Sequence, residues 1–355
     1  MPDKIPLETM TNGLAPEHDY FFPQRPDNPD MRESTSIWMF EENGAFGFPR
    51  IGIEGEAHSW DNRQYQANFA LGDNRVMHDT GRGPVPSPIG PDGKASVFGA
   101  GPLTFRCIEP FRRWQVSYRG TAHLGSLAEQ IAGTLPDKPR VPVSLDAELT
   151  MVTPAWVQDY SPDKIAAMTK AQQEDAQNMG IGWRLEHLFR GNGTLTVDGA
   201  SREFRCLGSR IKRQSVRPLD AFRGHCWQSA VFPDGRAFGY IAYPPTRDSG
   251  LYQIGYVYLD GRMYPARPVK IPFIRQVLEE GDDVSLELES ELGIHRIGGA
   301  TLLSTFRVNN PDMAALGAAG FTLQQSGARY TWDGMTSYGM VERSATGAQM
   351  AEGYA

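Results

Sequence analysis

A chain of 355 residues, 40% hydrophobic and 22% charged, is long enough for two cores, and its 38 glycines and 26 prolines favour turns and short strands over long helices. Its formal net charge of −7 excludes a bulk attraction to nucleic acid or anionic lipid. Cys107, Cys206 and Cys226 are odd in number and lack C-x-x-C spacing, which speaks against a disulfide framework and a zinc site.

In chain order, residues 1–33 are rich in Pro, Asp and Asn and are expected to be largely irregular, wrapping a surface. Their polar opening holds no apolar stretch of signal-peptide type, and no window approaches 18 uninterrupted apolar residues. A soluble, cytoplasmic protein with no stable membrane insertion is the expectation. Strand signals begin at Ser34 and recur at 36–40, 45–53, 65–71, 103–108, 114–118 and 145–152, a meander spacing typical of a sandwich or barrel, so 34–158 reads as an N-terminal β domain. Ser161-Pro162-Asp163 is a helix start and Gly180 a matching stop. The positions between them are poor in apolar residues, so 159–181 is expected to be a helical linker on a surface.

A second β domain is expected over 182–355. It opens with a hairpin, strands at 194–197 and 203–206 around Asp198-Gly199, the strongest short turn signal of this kind. Next comes a basic run containing Arg210, Lys212, Arg213 and Arg217, expected to be a cationic connector. A second hairpin spans 225–232 and 237–243 around Pro233-Asp234-Gly235. Further strands follow at 252–259, turning at Asp260-Gly261 into 262–264, and at 284–289, where Val284, Leu286 and Leu288 alternate with Glu287 and Glu289. The last strand signals are at 301–308, 328–332 and 338–342, with a short helix opening at Asn310-Pro311. Both halves share this texture, which predicts an all-β, tandem architecture.

Residues 193–208, Arg210, Arg217 and the run Trp227-Gln228-Ser229-Ala230-Val231-Phe232-Pro233-Asp234-Gly235 resemble the second domain of the carotenoid 1,2-hydratase-like superfamily. That group has two lipocalin-like β domains in tandem and includes fungal pericyclases of the Diels-Alderase kind. Tyr338-Gly339-Met340-Val341-Glu342-Arg343-Ser344 is similar to its closing strand, and Glu109-Pro110 with 114–120 is more weakly similar to its first half. In the superfamily motif Gly-x-Arg-Asp-His-Ser-Trp-Gly-x-Arg, Gly208, Arg210 and Arg217 match, whereas Ile211 and Lys212 stand at the Asp-His positions. The resemblance implies two lipocalin-like barrels or sandwiches and an enzyme, without a cofactor, acting on a bulky apolar small molecule of isoprenoid, steroid or polyketide type. Hydration, dehydration or isomerisation at a C=C bond is the favoured chemistry. A pericyclase, which the missing aspartate favours, and a non-catalytic carrier of a hydrophobic ligand are the alternatives.

Protonating an alkene needs an acid kept neutral by burial, with aromatic faces to stabilise the cation. Glu186, flanked by Leu185 and Leu188, and Asp159 are the candidate catalytic acids; Glu342 is a further one, and a structural ion pair is the competing reading of each. Arg210, Lys212 and Arg217 are expected to hold an anionic or strongly accepting group of the substrate. Trp227, Tyr240, Trp332 and Tyr338 are candidate cavity linings, otherwise ordinary core. His187 and His225 lack ligand-like spacing, and His58 at a strand end faces either the domain interface or its own backbone, so no metal is expected. The oligomeric state is left open.

Overall fold

The expected strands are present, and most run longer than their sequence signals. The computed structural model describes residues 5–217, 222–246, 250–308 and 320–354. The first unit holds β1 Met31–Glu41, β2 Phe46–Glu56, β3 Asn62–Leu71, β4 Arg75–Pro84, β5 Val97–Ala100, β6 Leu103–Glu109, β7 Arg113–Ser126, β8 Arg140–Met151, β9 Trp156–Tyr160, β10 Ile181–Val197 and β11 Ala200–Val216. These form one sheet in the order β4-β3-β2-β1-β11-β10-β8-β7-β6-β5, with β9 on β10, and a further pairing of β4 with β7 joins its two arms. The second unit is a closed barrel of β12 His225–Val231, β13 Ala237–Tyr243, β14 Tyr252–Leu259, β15 Arg262–Lys270, β16 Leu286–Ser290, β17 Gly293–Arg307, β18 Phe321–Trp332 and β19 Met335–Thr346. The fold is therefore all-β with two lipocalin-like units, as expected.

Strand pairing divides the chain later than the sequence suggests. The hairpin of β10 and β11 lies between β8 and β1, so residues 181–216 complete the first unit and the barrel starts at His225. Asp198 and Gly199 make its turn, both with positive φ (48° and 80°), as a two-residue turn matching the strand twist requires. The helical segment is two short pieces, α1 Pro162–Ala166 and α2 Lys170–Met179. The basic run is not a connector. It is the second half of β11, paired with β1 on one side and β10 on the other. The helix expected at Asn310-Pro311 lies outside the described residues.

Because side chains alternate across a strand, β1 and β11 each feed two cores. Ile37, Met39 and Cys206 enter the core of the first unit, whereas Trp38, Phe40, Leu207 and Ile211 enter a core shared with the outside of the barrel. The barrel's own interior is filled by Phe232, Phe238, Tyr240, Val257, Tyr330 and Trp332 among others.

The irregular N-terminal segment does more than wrap a surface. Met10 and Phe21 enter the first core, and Asp19, fully buried, pairs with Arg210 at 2.9 Å and accepts from Phe111 N at 2.6 Å and Trp114 Nε1 at 2.9 Å. Burial pushes the Asp19 carboxyl up, and Arg210, His187 and those two donors more than offset it, holding it below the usual carboxylate range. Removing the carboxylate strands a buried guanidinium, so Asp19→Ala is expected to lose about 3–5 kcal/mol in urea unfolding. A loss below about 1 kcal/mol would show that the pair is not a support of the fold. Since the folded pKa of Asp19 lies below its unfolded value of about 3.9, its contribution is present above that pH and fades as the pH falls through the folded value.

Candidate active site

A cavity of about 220 Å³ opens where the sheet of the first unit meets the outer face of the barrel. The sheet side is made by alternate residues of β1, β2 and β11: Ser34, Ser36 and Trp38, then Gly52 and Glu54, then Ile211 and Arg213. Gly52 keeps this wall open, because a Cβ there would stand 2.1 Å from Ser36 Oγ. The barrel contributes His225 and Trp227 from β12, Ile241 and Tyr243 from β13, Phe321 and Leu323 from β18, and Glu342 and Ser344 from β19.

The register of β12 and β19 sets the chemistry of the barrel wall. His225 lies opposite Ser344 and Trp227 opposite Glu342, so all four project from one face. His225 Nε2 is 3.1 Å from Glu342 Oε1, and its Nδ1 is 2.7 Å from Ser344 Oγ. Burial pushes the Glu342 carboxyl up, but the hydrogen bond from His225, the charge of Arg50 and the Gln325 amide bring it below the usual carboxylate range. An ionised carboxylate only accepts, so Nε2 of a neutral His225 carries the hydrogen and Nδ1 can accept from the serine hydroxyl. Hydroxyl, imidazole and carboxylate thus stand in series.

Behind them a polar chain crosses between the two units. Gln325 Nε2 donates to Glu342 Oε2 at 2.7 Å, and Gln325 Oε1 accepts from Gln66 Nε2 and Asn68 Nδ2, each at 2.9 Å. Asn68 Oδ1 is 2.7 Å from His78 Nδ1, and burial with nearby cations pushes His78 down to about 3, so that ring is neutral. Facing the wall, Trp38 and Trp227 meet edge to face at 4.6 Å, and the Arg184 guanidinium lies 4.7 Å from the centre of the Trp227 ring.

The sequence candidates scatter around this cavity. Arg217 and Trp227 line it. Glu186 is buried just behind the wall, ion-paired to Arg184, and accepts from Trp227 Nε1 at 3.1 Å and Gln158 Nε2 at 3.3 Å. Burial raises its pKa against the pull of Arg184 and those donors. Asp159 is half-buried on β9 and accepts from Ser161 N at 3.0 Å, at the start of α1. Arg210 and Lys212 project from the other face of β11, into the first core: Arg210 pairs with Asp19, and Lys212 lies 3.7 Å from Glu33 and 4.5 Å from the Trp183 ring centre. Tyr240 and Trp332 fill the barrel interior, and Tyr338 packs its ring over Gly44. His58 is largely exposed and stands 3.4 Å from Glu56. His187 is buried against Arg210, and burial with that charge pushes it down to about 3.

His225, Ser344 and Arg213 were not singled out in these roles from the sequence. The available signal was period two: Ile211, Arg213 and Ser215 alternate with Arg210, Lys212 and Gln214, and His225-x-Trp227 mirrors Glu342-x-Ser344.

A family model described as a domain of unknown function (DUF7064) matches residues 15–346. No curated protein matches the sequence. Among solved structures, an AttH from Nitrosomonas europaea is similar at 14% identity and a TM-score of 0.54, over 93% of this chain and 99% of that one. CghA with Sch210972 is similar at 10% identity and a TM-score of 0.56, over 90% of this chain and 89% of that one. Kievitone hydratase from Nectria haematococca is similar at 11% identity and a TM-score of 0.47, over 94% of each chain. The first two likenesses agree with the tandem fold.

Gln325 is the hinge of the polar chain, so replacing it leaves Glu342, Gln66 and Asn68 each short of a partner in a buried place. Gln325→Leu is expected to cost roughly 1–3 kcal/mol in urea unfolding. A change within about 0.5 kcal/mol would show that the chain carries no stability.

Proposed function

The chain belongs to the DUF7064 family, and from that premise we propose that it is an enzyme acting on a bulky, largely apolar small molecule held between its two β units. The reaction is hydration, dehydration or isomerisation at a C=C bond. One observation carries this reading: a Ser344–His225–Glu342 series opens into a cavity whose other groups include Trp38, Trp227 and Tyr243. The fold's capacity to take up a small molecule is supported by CghA, which was crystallised with Sch210972.

In the hydration direction, an imidazolium at His225, balanced by the Glu342 carboxylate, sends its proton through the Ser344 hydroxyl to one alkene carbon. The π pair forms the new C–H bond. The cation left on the neighbouring carbon faces the indole and phenol rings, which stabilise it through their negative faces. Water adds there, and the proton it sheds returns to His225, so no group is consumed. Dehydration is the reverse, and isomerisation omits the water. Positioned proton transfer of this kind contributes about 10²–10⁴-fold in rate.

Hydroxyl, imidazole and carboxylate in series also serve acyl transfer, and that order favours a serine hydrolase as the second reading. Labelling of Ser344 by a fluorophosphonate would select it.

For the first reading, the apolar compounds that co-purify with the protein are returned to it in D2O and followed by mass spectrometry. Wild-type protein is expected to introduce solvent deuterium at carbon. His225→Gln, Glu342→Gln and Ser344→Ala are each expected to slow this by about 10²–10⁴-fold while retaining the compound. Retention with no exchange in the wild type would make the protein a carrier, and conversion unaffected by His225→Gln would leave a pericyclase.

A further inference from the structure

The cavity is far more cationic than the chain as a whole. Among its described lining residues are six arginines, Arg32, Arg50, Arg184, Arg213, Arg217 and Arg307, against two acids, Glu54 and Glu342, in a protein of net charge −7. Three of these cations have carboxylate partners close by. Arg32 lies 3.1 Å from Glu56 and 3.6 Å from Glu54, Arg50 lies 2.9 Å from Glu54, and Arg184 is paired with Glu186.

Arg213 differs. It is only 5% exposed, yet its one hydrogen bond is from Nη1 to the backbone carbonyl of Met179, at 2.5 Å, and no carboxylate of the described residues is within ion-pairing distance. Strand register sets Arg213 beside Ser34 on β1 and beside Arg184 on β10, and all three line the cavity. Burial, and then the like charges of Arg217 and Arg184, press the Arg213 guanidinium well below its ordinary value. A guanidinium does not release its proton in proteins, so the cost is borne as an uncompensated charge. An anion in the cavity would relieve it.

We propose that Arg213 is a binding residue for a carboxylate on the substrate, so that the ligand is an apolar skeleton carrying one acidic end toward the sheet and presenting its C=C bond to the barrel wall. This rests on the cavity being the substrate site. The planar fork of arginine matches the two oxygens of a carboxylate, and the low-dielectric setting strengthens the contact. The Ser34 hydroxyl beside it is a further donor. With the acid end fixed at β11, the rest of the molecule lies along Trp38 and Trp227 toward His225, which gives the cavity a direction.

Isothermal titration with a matched pair of probes, biphenyl-4-carboxylate and biphenyl-4-methanol, tests this without knowledge of the natural compound. Wild-type protein is expected to bind the carboxylate about ten- to a hundredfold more tightly than the alcohol, the range of a charge-assisted hydrogen bond. Arg213→Gln is expected to bring the ratio within about threefold of one, whereas Arg262→Gln, which removes the same charge from an exposed site, keeps it. Should Arg213→Gln not fold, Arg213→Lys decides: it keeps the charge, loses the fork, and is expected to lower the ratio several-fold. Equal affinities in the wild type, failure of the carboxylate to bind, or a ratio untouched by substitution at Arg213 would each overturn the assignment. His225→Gln is expected to leave the ratio intact, so failure of the proton-transfer reading and failure of the carboxylate anchor are separate outcomes.

Discussion

The structure turns on how β11 carries charge through two interiors at once. Its alternating residues send Arg210 and Lys212 into the first core and Ile211 and Arg213 to the interface with the barrel, so neither side can treat the strand as surface. Each buried cation requires an answer, because an uncompensated one costs several kcal/mol. For Arg210 and Lys212 the answer comes from the N-terminal side: Asp19, in the segment before β1, and Glu33, at the start of β1. The irregular N-terminus is therefore part of the electrostatics of the fold.

On the other face the answer is incomplete. Arg184 has Glu186, held by Trp227 and Gln158 as well. These contacts tie β9, β10 and β12 together behind the cavity, which is a structural use of a buried acid. The acid that opens into the cavity is Glu342, and its partner is a titratable imidazole instead of a guanidinium. A carboxylate against arginine faces a fixed fork of donors, whereas one against histidine faces a ring that can carry its hydrogen on either nitrogen. Two buried glutamates close to the same tryptophan thus have chemically different partners.

The strands and their turns were legible because they rest on local rules: period-two patterns, Asp-Gly turns, a helix start with proline in its first turn. The all-β tandem fold followed from them. What sequence could not settle was which strands pair. The hairpin at Asp198-Gly199 reads equally well as the opening of a second domain or as the centre of the first sheet, and only β10 meeting β8 and β11 meeting β1 decides. The same limit explains the basic run. A stretch dense in Arg and Lys reads as solvated connector, since burial of such groups needs partners far away in sequence, as Lys212 has in Glu33 and Arg210 in Asp19. His225 and Ser344 are likewise joined only by the closure of the barrel.

Closure of the barrel also explains where a cavity can exist. The interior is occupied by large aromatic side chains whose polar ends satisfy each other: Tyr330 Oη donates to Gln228 Oε1 at 2.7 Å, and Gln228 Nε2 donates to Tyr240 Oη at 2.7 Å. Those rings are spent on packing, which is why Tyr240 and Trp332 are core and not lining. A lipocalin-like unit with a filled interior has its outer wall left for recognition, and here that wall is set against a second sheet. The space between them borrows side chains from both, so the proton-bearing series on β12 and β19 and the guanidinium on β11 face one another across the junction. The polar chain from Glu342 through Gln325 to Asn68 bridges the same junction, so the barrel wall and the sheet are joined by one hydrogen-bonded path in which each buried polar group satisfies the next.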